Sequence, residues 1–205
     1  MDNDKRRIKN MTHPKHPIRQ ARPDEASVVA SLIMEAMREE CCAYYYGEGH
    51  TAQEFHDMMT CLVGRKDTQY SYLNTLCATD DDDRIVGIAV SYDGGRLKEL
   101  RQAFIKEVRI RFGHDFSQMP EETQAGELYI DSMAVARERR GQGVGHRLFQ
   151  AVESRARHLH IDTVGLLVDR ENPAAERLYR SIGYRHVDDK DWGGHLLKHM
   201  QKEVK

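Results

Sequence analysis

The sequence predicts an α/β fold built on a mixed, mostly antiparallel central sheet, with helices on both faces and one parallel strand pair. Three observations carry this. Glu127 to Val135 (ELYIDSMAV), Gly143 to His158 and Thr163 to Val168 (TVGLLV) read as strand, helix, strand, a unit whose crossover makes the two strands parallel. Tyr72 to Ala78 and Arg84 to Tyr92 are β-type runs around a short acidic turn, the pattern of a hairpin. Further segments place apolar residues at helical spacing.

In chain order, residues 1–16 are polar and basic with almost nothing to bury, which predicts a flexible amino-terminal arm. Ile18 to Ala21 reads as a short strand. Pro23-Asp24 then opens a helix with Val28, Val29, Leu32, Ile33, Ala36 and Met37 as its apolar positions. A polar, tyrosine-rich stretch (CCAYYYGEGH) precedes a second helix from Thr51 to Val63. Asp80 to Asp83 is read as a solvated turn, because consecutive carboxylates point in different directions and supporting metal ligands are missing. Gly94-Gly95 ends the hairpin, and Leu97, Leu100, Phe104, Val108 and Phe112 mark a helix stopped by Gly113. His114 to Gly126 is irregular and acidic. The helix at Val144, Leu148, Phe149, Val152 and Ala156 leads to the TVGLLV strand. Pro173 to Ile182 is a helix with proline in its first turn and Gly183 after it. Tyr184 to Val187 and His195 to Met200 are two closing strands.

At 205 residues the chain exceeds the commonest domain size, roughly 100 to 150 residues, without reaching two cores. The expectation is one domain over residues 17–205 with a helical insertion at about 93–126. Its 31 basic residues nearly balance 33 acidic ones, and no clustered basic surface points to nucleic acid. No segment approaches the roughly 20 apolar residues of a membrane span, and no apolar signal core follows the basic start. Cys41, Cys42, Cys61 and Cys77 form no CxxC pair or metal spacing, which reads as free thiols in a reducing, cytoplasmic setting.

The sharpest signal is electrostatic. The helix starting near Gly143 has no Ser, Thr, Asp or Asn cap, and Arg137, Arg139 and Arg140 precede it with Arg147 in its first turns. Both features oppose helix rules, since the amino end is partly positive and favours acids and side-chain caps. An external anion resolves both: the bare amides of Gly141, Gln142, Gly143, Val144 and Gly145 would cradle a pyrophosphate while the arginines neutralise it. The other reading is a glycine-rich turn with a solvated basic rim. GQGVGHR is neither the dinucleotide fingerprint GxGxxG nor a P-loop.

RGQGVG matches the R/Q-x-x-G-x-G/A signature of the GNAT superfamily of acetyl-CoA-dependent N-acetyltransferases at Arg140, Gly143 and Gly145. NPAAERLYRSIGY, Asn172 to Tyr184, resembles that family's second cofactor motif at Asn172, Ala175, Tyr179 and Gly183. The resemblance covers Glu127 to Tyr184; the amino-terminal half has no comparable signature. It implies a GNAT-like sheet whose parallel strands splay around acetyl-CoA. The backbone of Met133, Ala134 and Val135 would pair with the pantetheine amides, Arg140 to His146 would hold the pyrophosphate, and Asn172 and Ala175 would meet the cofactor from the other side. Arg137 or Arg147 would reach the adenosine phosphates.

The resemblance also implies direct transfer: an amine attacks the thioester, and Tyr179 protonates the departing thiolate. A packing tyrosine fits the same spacing. A lysine-type ammonium, pKa about 10.4, must first lose a proton. Glu127, Tyr129 and Asp131 share one strand face by the two-residue period, so Asp131 is the preferred base with Glu127 as the alternative. Water as the base, simple attraction of a cationic acceptor, and a solvated edge remain open for these carboxylates. His195 and His199 do not complete a zinc site, and no metal is expected. Tyr44 to Tyr46 and Phe116 either line an acceptor pocket or simply pack, and residues 93–126 are expected to cover the acceptor side, with Phe112 and Phe116 bearing on acceptor preference. The acceptor is a small-molecule or peptide amine of unstated identity, and a homodimer is the default assembly. The rival reading is a catalytically silent acyl-CoA-binding or sensor domain.

Overall fold

A computed structural model describes residues 16–192 and 195–205 of the chain; the expected arm, save His16, lies outside the described residues. The strands are β1 (Ile18–Gln20), β2 (Thr75–Thr79), β3 (Ile85–Asp93), β4 (Leu128–Val135), β5 (Thr163–Asp169), β6 (Arg185–Trp192) and β7 (His195–Glu203). They form one sheet in the order β1-β2-β3-β4-β5-β7-β6. Neighbours are antiparallel except β4 and β5, which run parallel. This is the predicted mixed sheet.

The helices are α1 (Ala26–Met37), α2 (Glu39–Tyr46), α3 (Ala52–Gly64), α4 (Leu97–Phe112), α5 (Val144–His158) and α6 (Pro173–Ser181). Side chains alternate across a strand, and β3 uses both faces. Ile88 and Val90 meet Val29, Ile33, Phe55 and Phe104 from α1, α3 and α4, whereas Ala89 meets Leu148 and Val152 of α5. Burying apolar area at roughly 25 cal/mol per Å² favours this two-layered cover. Val28, read as one of the apolar positions of the first helix, is instead about half exposed.

Several local expectations are corrected. Tyr72–Asn74 form a 3-10 turn, with Ser71 Oγ accepting from the Leu73 amide at 3.1 Å, so β2 starts at Thr75. The tyrosine-rich stretch is helical: Glu39 and Glu40 occupy the first turn of α2, where acids suit the helix dipole, and Tyr45 is buried against Phe55 and Phe104. Gly94-Gly95 begin a 3-10 turn that leads into α4. The closing strands are longer than read. The aspartate turn is held locally: Asp80 Oδ1 accepts from the Asp82 and Arg84 amides, and Asp83 pairs with Arg19 and Arg22 at 2.8 Å each. No helix among the described residues is long and apolar enough to cross a membrane.

Two irregularities in β4 shape the cleft beside it. Its parallel pairing with β5 runs only through Leu128–Val164, Tyr129–Gly165 and Ile130–Leu166, although both strands continue beyond it. On its other edge the ladder jumps from Val90–Ser132 to Ser91–Ile130, leaving Asp131 as the extra residue of a β-bulge. Bulges re-aim side chains and recur beside functional sites.

Candidate active site

Where β4 and β5 part, three adjoining cavities open, and Tyr179 of α6 and Ala36 of α1 line all three. One cavity, about 350 Å³, runs along Met133, Ala134 and Val135 to Arg140, Gly145 and His146. Another reaches Asn172, Ala175 and Asp169. The third, about 270 Å³, holds Gln69, Glu122 and Asp131. The residues read from sequence as cofactor-binding therefore border the first two cavities, except Gly141, Gln142, Gly143 and Val144, which lead into α5.

The start of α5 has the geometry an anion needs. Its N-cap is Gly143, without a side-chain cap and with no acid in the first turn. Gly141 and Gly143 adopt φ of +73° and +79°, a left-handed backbone that favours glycine. Nothing lies within 4 Å of where a Cβ would stand at either position. The first amides of α5 have no intrahelical partners, and a helix amino terminus of this kind suits a pyrophosphate. Arg140 donates through Nε to the Val135 carbonyl at 2.9 Å and through Nη2 to Glu35 of α1 at 2.6 Å. Arg137 also reaches Glu35, at 3.6 Å.

On the opposite side of Tyr179 the floor is acidic. Asp131 Oδ2 accepts from Tyr92 Oη at 2.8 Å and Gln69 Nε2 at 3.3 Å, and Oδ1 accepts from Ser132 Oγ at 2.9 Å. Burial pushes its carboxyl above the usual range, and these donors pull the other way. Glu122 accepts from buried Arg101 at 2.8 Å, while Arg101 Nη1 also donates to the Met119 and Pro120 carbonyls. Burial, then the neighbouring Asp131 carboxylate, push Glu122 up to about 7. Two neighbouring, largely buried carboxyl groups favour keeping a proton between them.

Glu127, the residue before β4, has other partners. It is fully buried, with Oε2 bonded to His199 Nε2 and Gln201 Nε2, both at 2.8 Å. Oε1 accepts from the Gln124 amide at 3.1 Å. A Cβ at Gly165 would overlap its carboxylate, so this strand glycine makes room for the pair. Glu127 lines none of the three cavities. His199 is thereby engaged with Glu127. Among the described residues no group of three or more His, Cys, Asp or Glu is placed to hold a metal.

Tyr179 packs against Phe149 and Tyr184, with ring centroids 5.8 and 6.3 Å away. Burial raises its phenol above the usual value, which keeps it protonated at neutral pH. Asn172 caps α6, its Oδ1 accepting from the Ala175 amide at 3.1 Å, so its side-chain NH₂ is the group left to meet a ligand. Tyr44 and Phe116 line a further pocket of about 240 Å³ that shares Met119 and Trp192 with the acidic chamber. Phe112, expected near the acceptor, instead packs on Tyr46, His50 and Phe55.

Sequence reasoning missed Glu122, Arg101, Gln69 and Trp192. One signal was present: Arg101 lies four residues after Leu97 and three before Phe104, in the apolar stripe of α4. A charge there demands a buried partner. Gln69 and Trp192 left no pattern, since folding alone brings them to the chamber.

A family model described as the Acetyltransferase (GNAT) family matches residues 33–184. A solved structure described as an acetyltransferase is 28% identical with a TM-score of 0.74, covering 92% of this chain and all of that one. An N-acetyltransferase from Staphylococcus aureus Mu50 is 20% identical with a TM-score of 0.75, over 90% of this chain and 99% of that one. A PaiA N-acetyltransferase from Thermoplasma acidophilum, solved in complex with coenzyme A, is 14% identical with a TM-score of 0.53, over 91% and 98%. The latter two likenesses concern the fold alone. No curated protein matches the chain by sequence.

Proposed function

Because the chain belongs to the acetyltransferase (GNAT) family, we propose that it moves the acetyl group of acetyl-CoA to a primary amine by direct attack within the cleft beside β4. The observation that carries this reading is the position of Tyr179, whose side chain borders both the cavity leading to the α5 amino terminus and the chamber holding Asp131 and Glu122. Donor and acceptor sides meet at one protonated phenol.

Acetyl-CoA supplies an acetyl carbon activated as a thioester. The uncapped amides from Gly141 to Gly145 and the side chain of Arg140 hold its pyrophosphate, and the backbone of Met133 to Val135 aligns its pantetheine arm. Arg140, bonded to the Val135 carbonyl and Glu35, exchanges its Glu35 contact for the pyrophosphate in this reading. Asp131, with Glu122 beside it, takes the proton of the incoming ammonium; a group whose pKa lies near the working pH suits such transfer. The amine nitrogen bonds to the acetyl carbon, the carbon–sulfur bond breaks, Tyr179 gives its proton to sulfur, and the second proton shed by the nitrogen as the amide forms restores the phenol. The net products are an amide, a free thiol and one proton. Glu127, buried between His199 and Gln201, holds β4 to β7 in this reading rather than moving protons.

The test is thiol release from acetyl-CoA across amines, amino acids, aminoglycosides, polyamines and peptides. Amine-dependent release is expected for at least one class. Coenzyme A binding without release for any of them would favour a silent acyl-CoA sensor.

A further inference from the structure

The chamber on the acceptor side of Tyr179 holds more hydrogen-bond acceptors than one proton transfer needs. Gln69 is 3% exposed and lines it. Its backbone is pinned, the amide donating to the Leu100 carbonyl at 3.2 Å and its carbonyl accepting from Asn74 Nδ2 at 3.1 Å. Its side-chain Nε2 donates to Asp131, which fixes the amide orientation, and Oε1 is buried without a donor. Buried polar atoms are nearly always paired, so an unpartnered carbonyl oxygen on a residue that lines the cavity suits a ligand N–H. Glu122 gives Oε1 to Arg101, and its Oε2 has no donor among the described residues.

We propose that this chamber is a primary-ammonium site in which Gln69 Oε1, Glu122 and Asp131 receive the N–H groups of the acceptor. The acceptor class is an alkyl or arylalkyl primary amine with no carboxylate beside its nitrogen. The chemistry rests on the acetyl-transfer reading; the binding site does not. An alkylammonium has three donors and no acceptor, which matches three oxygen acceptors. Among the described residues, no lysine, arginine or histidine lines the chamber. Arg101 is behind it, committed to Glu122 and to the Met119 and Pro120 carbonyls. A carboxylate on the carbon next to nitrogen would therefore enter among two acids with no cation to meet it, and a buried unpaired charge is strongly disfavoured. The rings of Tyr45, Phe104 and Trp192 give the walls an apolar surface for the tail. A volume of about 270 Å³ is at the small end of ligand pockets and suits a small amine.

Calorimetry on the full chain saturated with coenzyme A separates this from turnover. Phenethylamine and phenylalaninamide should bind, and phenylalanine should bind at least about tenfold more weakly. Gln69→Leu and, separately, Glu122→Gln should weaken phenethylamine about 10- to 100-fold, as expected for hydrogen bonds to a charged group, with coenzyme A affinity unchanged. Equal affinity for phenylalanine, no binding of any of the three, or an unchanged Gln69→Leu variant would overturn the proposal. Refusal of phenylalaninamide together with phenylalanine would also overturn it, placing the discrimination on bulk at the α-carbon. Selective binding without acetylation would keep the ammonium site and reject acetyl transfer. Acetylation of phenylalanine and phenethylamine alike would do the reverse.

Discussion

Asp131 and Glu122 are held in one chamber by different means, Asp131 by hydroxyl and amide donors and Glu122 by Arg101. That difference predicts a pH signature. Glu122 has its pKa raised to about 7, so the fraction of the base form, and with it the acetylation rate, should rise as pH passes through that value. Glu122→Gln should remove this inflection and leave only the rise from the acceptor's own deprotonation. Asp131→Asn should cost most near neutral pH and less at high pH, where the amine is already neutral. A pH–rate profile unchanged by either substitution would move the proton to water. Glu127 calls for a different measurement. Gly165→Ala drives a methyl group into its carboxylate, and overpacking of this kind costs about 1–3 kcal/mol, so thermal unfolding should shift while the pH profile keeps its shape. A shifted profile with unchanged stability would return Glu127 to the chemistry.

Among the elements, α5 makes the clearest commitment. An N-terminus with glycine at the cap, no acid in its first turn and arginines before it departs from the usual helix pattern, and this was legible in the sequence. Gly143→Glu should abolish coenzyme A binding: it adds negative charge, and φ of +79° disfavours any side chain. Calorimetry on the folded variant that finds wild-type affinity would reject the anion cradle. Legibility was poorer for α2, where CCAYYY has little apolar periodicity and tertiary burial of Cys42 and Tyr45 supports the helix. The segment after α4 behaves similarly. Phe116 lines the pocket next to the acidic chamber and Phe112 packs in the α3–α4 core. Phe116→Ala should therefore change relative kcat/KM among acceptors with little loss of stability, whereas Phe112→Ala should lower Tm, a buried phenylalanine truncation costing about 3–5 kcal/mol. Equal effects on all acceptors would make Phe116 a packing residue.

Across the whole molecule, the parallel pair β4–β5 and the two-sided cover of the sheet followed from the strand–helix–strand run and the hydrophobic periods. The acidic chamber did not. Its parts come from Gln69, Glu122, Asp131 and Trp192, far apart in the chain, and the bulge that leaves Asp131 unpaired is set by β3–β4 register, for which no local pattern exists. The same molecule-wide convergence brings Tyr179 between the anion cradle and the acid floor, and the proposed reaction depends on that placement. It is tested by following thiol release and acetylated amine together, for wild type and Tyr179→Phe, under conditions where chemistry limits the rate. One acetylated amine should appear per thiol, with a kcat lower by about 10²–10⁴ in the phenylalanine variant and coenzyme A affinity unchanged. A variant that turns over like wild type, or a wild type that binds coenzyme A and acetylates no amine, would contradict this role for Tyr179 and the reaction built on it.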